Sequence, residues 1–185
     1  MIIFEGPDGA GKTTLIEAFQ EAYNIPIAPR VVTKGAEAMI DLKQWVDNEL
    51  RKGFQYKIFD RYRLISEPIY GPILRNKSEP GFNDIQWLTS RMHAFYDLDP
   101  VIIYCLPPLE TVRANIMGDP DNVVVESRID AIYSAYVNKA AIDINFSPGL
   151  TIVWDYTDKR SIVDNLPIWF DTLHTRILER LQSEN

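Results

Sequence analysis

A three-layer α/β/α sandwich around a five-stranded parallel sheet is the fold this sequence predicts, and two observations lead to it. Short strand-like runs alternate with longer segments of helical period, the pattern of parallel strands joined by crossover helices. The first run, "IIFE", passes into the glycine-rich stretch "GPDGAGKT" and then into a helical segment, so the chain opens as strand, loop and helix.

Each element has its own signal. The strands are expected at Ile2–Glu5, Ile27–Val32, Gln55–Phe59, Val101–Leu106 and Leu150–Trp154. Pro26 and Pro29 bracket the second, Pro100 precedes the fourth, Pro107 and Pro108 end it, and "SPG" at Ser147 to Gly149 introduces the fifth. Helical spacing predicts helices over Lys12–Tyr23, Gly35–Lys52, Phe82–Tyr96, Leu109–Met117, Val124–Ile144 and Ser161–Gln182. The last carries Ile162, Leu166, Trp169, Phe170, Leu173, Ile177 and Leu181 on one stripe, the signature of a core-packed helix. "PILRNKSEPGF", Pro72 to Phe82, is the longest turn-rich interruption and reads as a mobile loop.

With 46% apolar and 24% charged residues, the 185-residue chain is expected to form one domain, 1–185, around a packed core. A net charge of −7 excludes a non-specific duplex binder, because the whole protein repels polyanions. Nucleic acid would have to meet a local patch such as Arg51, Lys52, Lys57, Arg61, Arg63, Arg75 and Lys77, which reads equally as a solvated surface. Cys105 is the lone cysteine, so an intramolecular disulfide and a cysteine zinc site are both excluded. Its run "VIIYCL" makes it a buried strand thiol. Met1 leads straight into a strand and no run of 18 apolar residues exists, so an intracellular, cytoplasmic protein without membrane contact is expected.

The loop carries the chemistry. Gly6, Pro7, Asp8, Gly9, Ala10, Gly11, Lys12 and Thr13 fit the G-x-x-x-x-G-K-[ST] phosphate-binding pattern, with Thr14 next in the chain. Its glycines let successive amide N–H groups turn inward at a helix N-terminus and form an anion nest. Lys12 supplies a positive charge for β- and γ-phosphates and the Thr13 hydroxyl a ligand for Mg²⁺, so the expected occupant is ATP with Mg²⁺. "YKIFD" ends in Asp60, a second metal- or water-positioning group or, in the plainer reading, a helix N-cap. Arg61 comes next, where open α/β sheets bind ligands, a cation for the acceptor or a surface ion pair.

"FEGPDGAGKTT" together with "FDRYRLISEPIYGPILR", Phe59 to Arg75, resembles the thymidylate kinase family and its phage-encoded deoxynucleotide-kinase-like relatives. The resemblance is good over the first half of the chain and weak over the second. It implies that Asp8 approaches the sugar 3′-hydroxyl and that Arg61 grips the 5′-phosphate of a bound nucleotide. It also implies that Ser66 and Tyr70 lie by the base and the 2′ face of the sugar, with Glu67 between them, and that Arg75 matches an acceptor-side arginine. Lys34 in "VVTKG" stands nearest to the family's second acceptor-phosphate cation. The lid, residues 117–123 around "MGDPDN", is short and acidic where the family's bears arginine, which leaves Arg113 and Arg128 as substitutes for the transition-state cation. The family also implies a homodimer. Trp45, Trp87, His93 and Phe95 could stack on a base, although their helical spacing reads first as core packing.

The expected activity is transfer of the ATP γ-phosphate to a deoxynucleotide-type acceptor, dTMP to dTDP in the family's manner. A phage DNA kinase acting on 5-hydroxymethyluracil in DNA is the close rival, favoured by Ser66 standing one residue further from Asp60 than the family spacing. A GTP-dependent switch would need an [NT]-K-x-D motif, and both "TKGA" and "NKAA" lack the Asp. A non-catalytic nucleotide-binding subunit is the remaining alternative.

Overall fold

The structure, a computed structural model, describes residues 1–29, 41–79, 81–146 and 150–158 together with Thr175. Its centre is β1 (Ile2–Glu5), whose four residues are all buried, as a strand covered on both faces requires. Around it lie β2 (Ile58–Asp60), β3 (Val101–Cys105) and β4 (Thr151–Trp154), all parallel, in the order β2-β1-β3-β4. The register pairs Ile3 with Phe59 on one side and with Ile102 on the other.

Helices connect these strands. They are α1 (Lys12–Tyr23), α2 (Leu42–Arg51), α3 (Arg63–Arg75), α4 (Ile85–Tyr96), α5 (Leu109–Ile116), α6 (Val123–Glu126) and α7 (Ile129–Phe146). The period-2 alternation of β1 and β3 divides the core in two. Ile2, Phe4, Val101 and Ile103 pack with Leu15, Ile16 and Phe19 of α1 and with Val112 and Ile116 of α5. Ile3, Ile102 and Tyr104 face Val46, Leu64, Ile65, Phe95, Ile132 and Tyr136 of α2, α3, α4 and α7. Two helical layers thus sandwich the sheet, and aromatic pairs such as Phe4 edge-on to Phe19 at 4.9 Å and Tyr62 stacked on Phe95 at 5.0 Å fix their spacing.

The sheet corrects one expectation: among the described residues it has four strands, not five. Of the expected Ile27–Val32 strand, Ile27 makes one parallel bridge with Ile58, flanked by Ile58 N–H to Pro26 O (2.9 Å) and Ala28 N–H to Ile58 O (2.7 Å). Pro26 has no N–H to donate, so the ladder does not extend to the N-terminal side of that bridge. Residues 30–32, Lys34 and, apart from Thr175, the expected helix Ser161–Gln182 lie outside the described residues.

A second correction concerns α3. Four residues of the stretch expected to be a mobile loop, Pro72 to Arg75, are its last turn, and the helix holds Pro68 and Pro72 in its interior. Its buried stripe of Leu64, Ile65 and Ile69 offsets the two lost backbone hydrogen bonds, and Glu67 ties down the segment beyond the helix by accepting the Glu79 N–H at 2.8 Å. The expected helix Val124–Ile144 is two helices, α6 and α7, with Ser127 and Arg128 between them.

Candidate active site

Glycine, lysine and strand geometry build the site together. The loop between β1 and α1 turns through Gly6, Gly9 and Gly11, each at positive φ, and α1 begins at Lys12 without a side-chain cap, leaving its first N–H groups facing the loop. Lys12 is buried and donates to Gly6 O (2.9 Å) and Pro7 O (2.6 Å), so its ammonium lies inside the loop's curl. Burial and the Arg61 charge hold that ammonium down at about 8. Ala10 is buried beneath the loop while Thr13 and Thr14 are exposed on α1.

A cleft of about 570 Å³ opens over this loop, lined by residues 8–14, by Asp60 and Arg61 at the end of β2, and by Asn115, Asp119 and Asn122. Asp8, Lys12, Thr13, Asp60 and Arg61, all expected from the sequence, meet there. Arg61 adopts a left-handed backbone conformation at φ 66°, unusual for a residue with a side chain. Its Nη2 donates to Asp8 Oδ1 (2.6 Å), Tyr70 OH (2.7 Å) and Gly6 O (3.3 Å), and its guanidinium lies 4.7 Å from the Tyr70 ring centre. Tyr70 in turn donates to Asp8 Oδ2 at 2.8 Å. Burial works against the Asp8 charge, but Arg61 and Lys12 outweigh it and hold the carboxyl below its ordinary range. The Nε–H of Arg61 is buried without a hydrogen-bond partner among the described residues.

The other expected site residues lie elsewhere. Ser66 is buried and donates to Tyr62 O (3.3 Å), and Glu67 is buried against Arg75, so both serve the inside of α3. Arg113 pairs with Asp130 at 2.5 Å on the surface, and it lines a separate cavity of about 450 Å³ with Arg128 rather than the cleft over the loop. The segment expected to act as a lid brings Asp119 and Asn122 to the cleft, the latter from a 3₁₀ turn, Pro120–Asn122. Trp87 and Phe95 are core residues, His93 is exposed, and Trp45 leans on Tyr62 beside a narrow slot bordered by Ala28, Pro29, Asp60, Arg61 and Arg63. Burial pushes the Cys105 thiol up to about 12, in keeping with an inert strand cysteine.

Two participants, Asn115 and Tyr156, carry no local sequence signal, and a third, Glu5, stands in the loop motif without a role assigned to it there. Asn115 on α5 donates to Gly9 O and to Tyr156 OH, both at 2.8 Å. The Tyr156 ring covers Gly11 so closely that a Cβ there would lie 3.0 Å from it. Glu5, fully buried at the end of β1, accepts from Tyr62 N–H (2.6 Å) and Tyr136 O–H (2.9 Å).

Among the described residues no group of three or more His, Cys, Asp or Glu side chains could cage a metal. Thr13 and Asp60, both on the cleft, offer one hydroxyl and one carboxylate, a donor set suited to a Mg²⁺ that arrives on phosphates and keeps several waters.

No protein-family model matches the sequence, and no curated protein does. Solved structures do. The YorR protein of Bacillus subtilis, in complex with phosphorylated GDP, superposes with a TM-score of 0.61 at 17% identity, over 97% of this chain and 96% of its own. Deoxyadenosine kinase from M. mycoides with bound dATP gives 0.57 at 16% identity, over 95% of this chain and 98% of its own. The same enzyme with bound dCTP gives 0.52 at 16%, over 97% and 100%. The chain shares its fold with these proteins. At these identities the likeness shows the fold alone, and the chemistry rests on the residues in the cleft. Among the described residues no helix is long and apolar enough to cross a membrane.

Proposed function

We propose that the protein is an ATP- and Mg²⁺-dependent phosphotransferase that moves the γ-phosphate to a deoxynucleotide-type acceptor, with dTMP the first candidate. The observation that carries this reading is the meeting of Lys12 and Thr13 with Asp60, Arg61 and Asp8 in one cleft. The loop amides and Lys12 hold the donor phosphates, and Thr13 and Asp60 would hold a Mg²⁺ ion, which would supply charge neutralisation at those phosphates. Arg61 lines the acceptor end of the cleft, while Asp8 and Tyr70 fix its guanidinium and offer the sugar hydroxyls a hydrogen-bonding edge. Trp45, at the slot behind Asp60 and Arg61, offers a face for the acceptor base.

A nucleoside acceptor, phosphorylated on its 5′-hydroxyl, is the second reading, favoured by the deoxyadenosine kinase likeness. Modified DNA is less well served. Of the basic residues that could track a strand, Lys52, Arg61 and Arg75 are engaged by Glu49, Asp8 and Glu67.

Transfer of radiolabelled γ-phosphate from ATP and Mg²⁺ tests these readings, with deoxynucleosides, their 5′-monophosphates, and plain and hydroxymethyluracil-containing DNA offered in parallel. Label on a monophosphate supports the first reading and label on a nucleoside the second. Label on modified DNA alone overturns both, and label on none overturns the kinase reading.

A further inference from the structure

The turn that presents Arg61 is held by two consecutive residues of β1. Phe4 O accepts the Arg61 N–H at 3.0 Å, and the Glu5 carboxylate accepts the next N–H, that of Tyr62, at 2.6 Å. Arg61 between them stands in the left-handed region, which a side-chain-bearing residue leaves unless its surroundings fix it. The second carboxylate oxygen is fixed by Tyr136 OH of α7 at 2.9 Å, so the Glu5 side chain cannot swing away from the turn. Glu5 is wholly buried, and a hydrophobic residue would fill its place without the cost of desolvating a carboxylate. The charge therefore calls for a use.

We propose that Glu5 is a positioning residue for Arg61: its carboxylate holds the Arg61–Tyr62 peptide in the conformation that aims the guanidinium at an acceptor phosphate. This rests on the kinase reading only for the identity of that phosphate. The ionised carboxylate accepts at both oxygens, whereas the acid form turns one oxygen into a donor and gives up a contact. The groups facing Glu5 are Lys12 at the start of α1, Arg61 in the turn, Tyr70 of α3, Tyr104 and Cys105 of β3, and Tyr136 of α7. Burial outweighs the favourable part of this surrounding and raises the Glu5 carboxyl to about 7. Acceptor affinity is thus expected to fall as the pH drops below neutrality, as the brace takes up its proton.

The test is a double-mutant cycle on the full-length chain, with Glu5→Gln, Arg61→Ala and the double variant. Calorimetric affinity for inorganic phosphate and for dTMP is measured between pH 5.5 and 8.5, a readout that needs no turnover. Glu5→Gln is expected to weaken dTMP binding by roughly 10- to 100-fold, the range that outer-shell positioning groups produce elsewhere. ATP affinity should change by less than about threefold, and the acid-side decline should be absent. In the Arg61→Ala background the same substitution should have almost no further effect. Equal losses in both backgrounds overturn the inference, because Glu5 would then act on the fold alone. So does wild-type protein that binds phosphate no better than Arg61→Ala. If Glu5→Gln does not fold, Glu5→Asp, which keeps the charge one methylene short of Tyr62, completes the same cycle. A wild-type protein that binds dTMP but transfers no phosphate would sink the kinase reading and leave this cycle still readable.

Discussion

Replacing Gly6 by alanine separates what the phosphate loop costs from what it does. Gly6 has φ 138°, and an added Cβ would lie 2.4 Å from the Cys105 carbonyl oxygen, a backbone atom of the neighbouring central strand. No rotamer change relieves that contact, so β1 and β3 must part. Backbone strain of about 1 to 3 kcal/mol and overpacking of about 1 to 3 kcal/mol sum to about 2 to 6 kcal/mol, a large share of a domain's usual stability. For a chain of this size each kcal/mol shifts the midpoint by about 2 to 4 °C, so Tm is expected to fall by about 5 to 20 °C. Gly53→Ala is the control. It has φ 70° but nothing within 4 Å of its added Cβ, so only the conformational cost of about 1 kcal/mol applies. Thermal and urea unfolding of the two variants without nucleotide decide the matter, and equal destabilisation would refute the contact with Cys105. The Gly6 carbonyl also receives Lys12 and Arg61, so nucleotide affinity should fall with stability in Gly6→Ala and stay unchanged in Gly53→Ala.

Lys12→Ala should cut transfer roughly 10²- to 10³-fold, as loss of a transition-state donor does, while leaving Tm unchanged or raised because a desolvated cation is removed; a fall in Tm alongside normal turnover would contradict its role. Arg61→Ala should raise the acceptor KM with little change in the ATP KM, and steady-state kinetics with near-normal acceptor KM would refute the assignment. Asp143, on the buried face of α7 and bound by Tyr96 OH, Tyr104 OH and Lys139, should cost about 3 kcal/mol or more as Asp143→Ala, measured by urea unfolding, with no loss of nucleotide affinity per folded molecule. The Glu5 carboxyl stands at about 7 when folded against 4.5 ordinarily, so the folded state keeps a proton that the unfolded chain has lost. Its contribution to stability therefore declines by about 3 kcal/mol as pH rises from about 4.5 to about 7, and urea unfolding of Glu5→Gln should lack that decline.

The parts of this molecule that were legible in the sequence are those fixed by local geometry. The bounds of α1 come from the motif at one end and from Asn24 at the other, where a left-handed residue closes the helix by donating to Gln20 O. Lys12, Thr13, Asp60 and Arg61 are legible from their place at strand ends. Helix α3 was hidden because Pro68, Gly71 and Pro72 read locally as a turn, and only the packing of Leu64, Ile65 and Ile69 on the sheet overrides them. The break between α6 and α7 was invisible for a like reason: Ser127 Oγ donates back to Val124 O at 2.8 Å, an ending that no glycine or proline announces. Glu5, Asn115 and Tyr156 enter the site through contacts across 57, 106 and 41 positions of chain, which no sequence window spans.

The Asn115 amide has a mechanical meaning beyond its two hydrogen bonds. It fastens the root of the lid segment both to the phosphate loop and to the residues after β4, so three chain segments meet at one anchored point. Any rotation of a lid over residues 117–123 would therefore start beyond it. Gly118, at φ 76° with open space around its Cα, is the first residue free to turn. Such an arm would be short, from Gly118 to the start of α7, with Asp119 and Asn122 already standing at the cleft. A catalytic cation carried on so short an arm would have little reach, which gives the fixed guanidinium of Arg61 the geometric advantage.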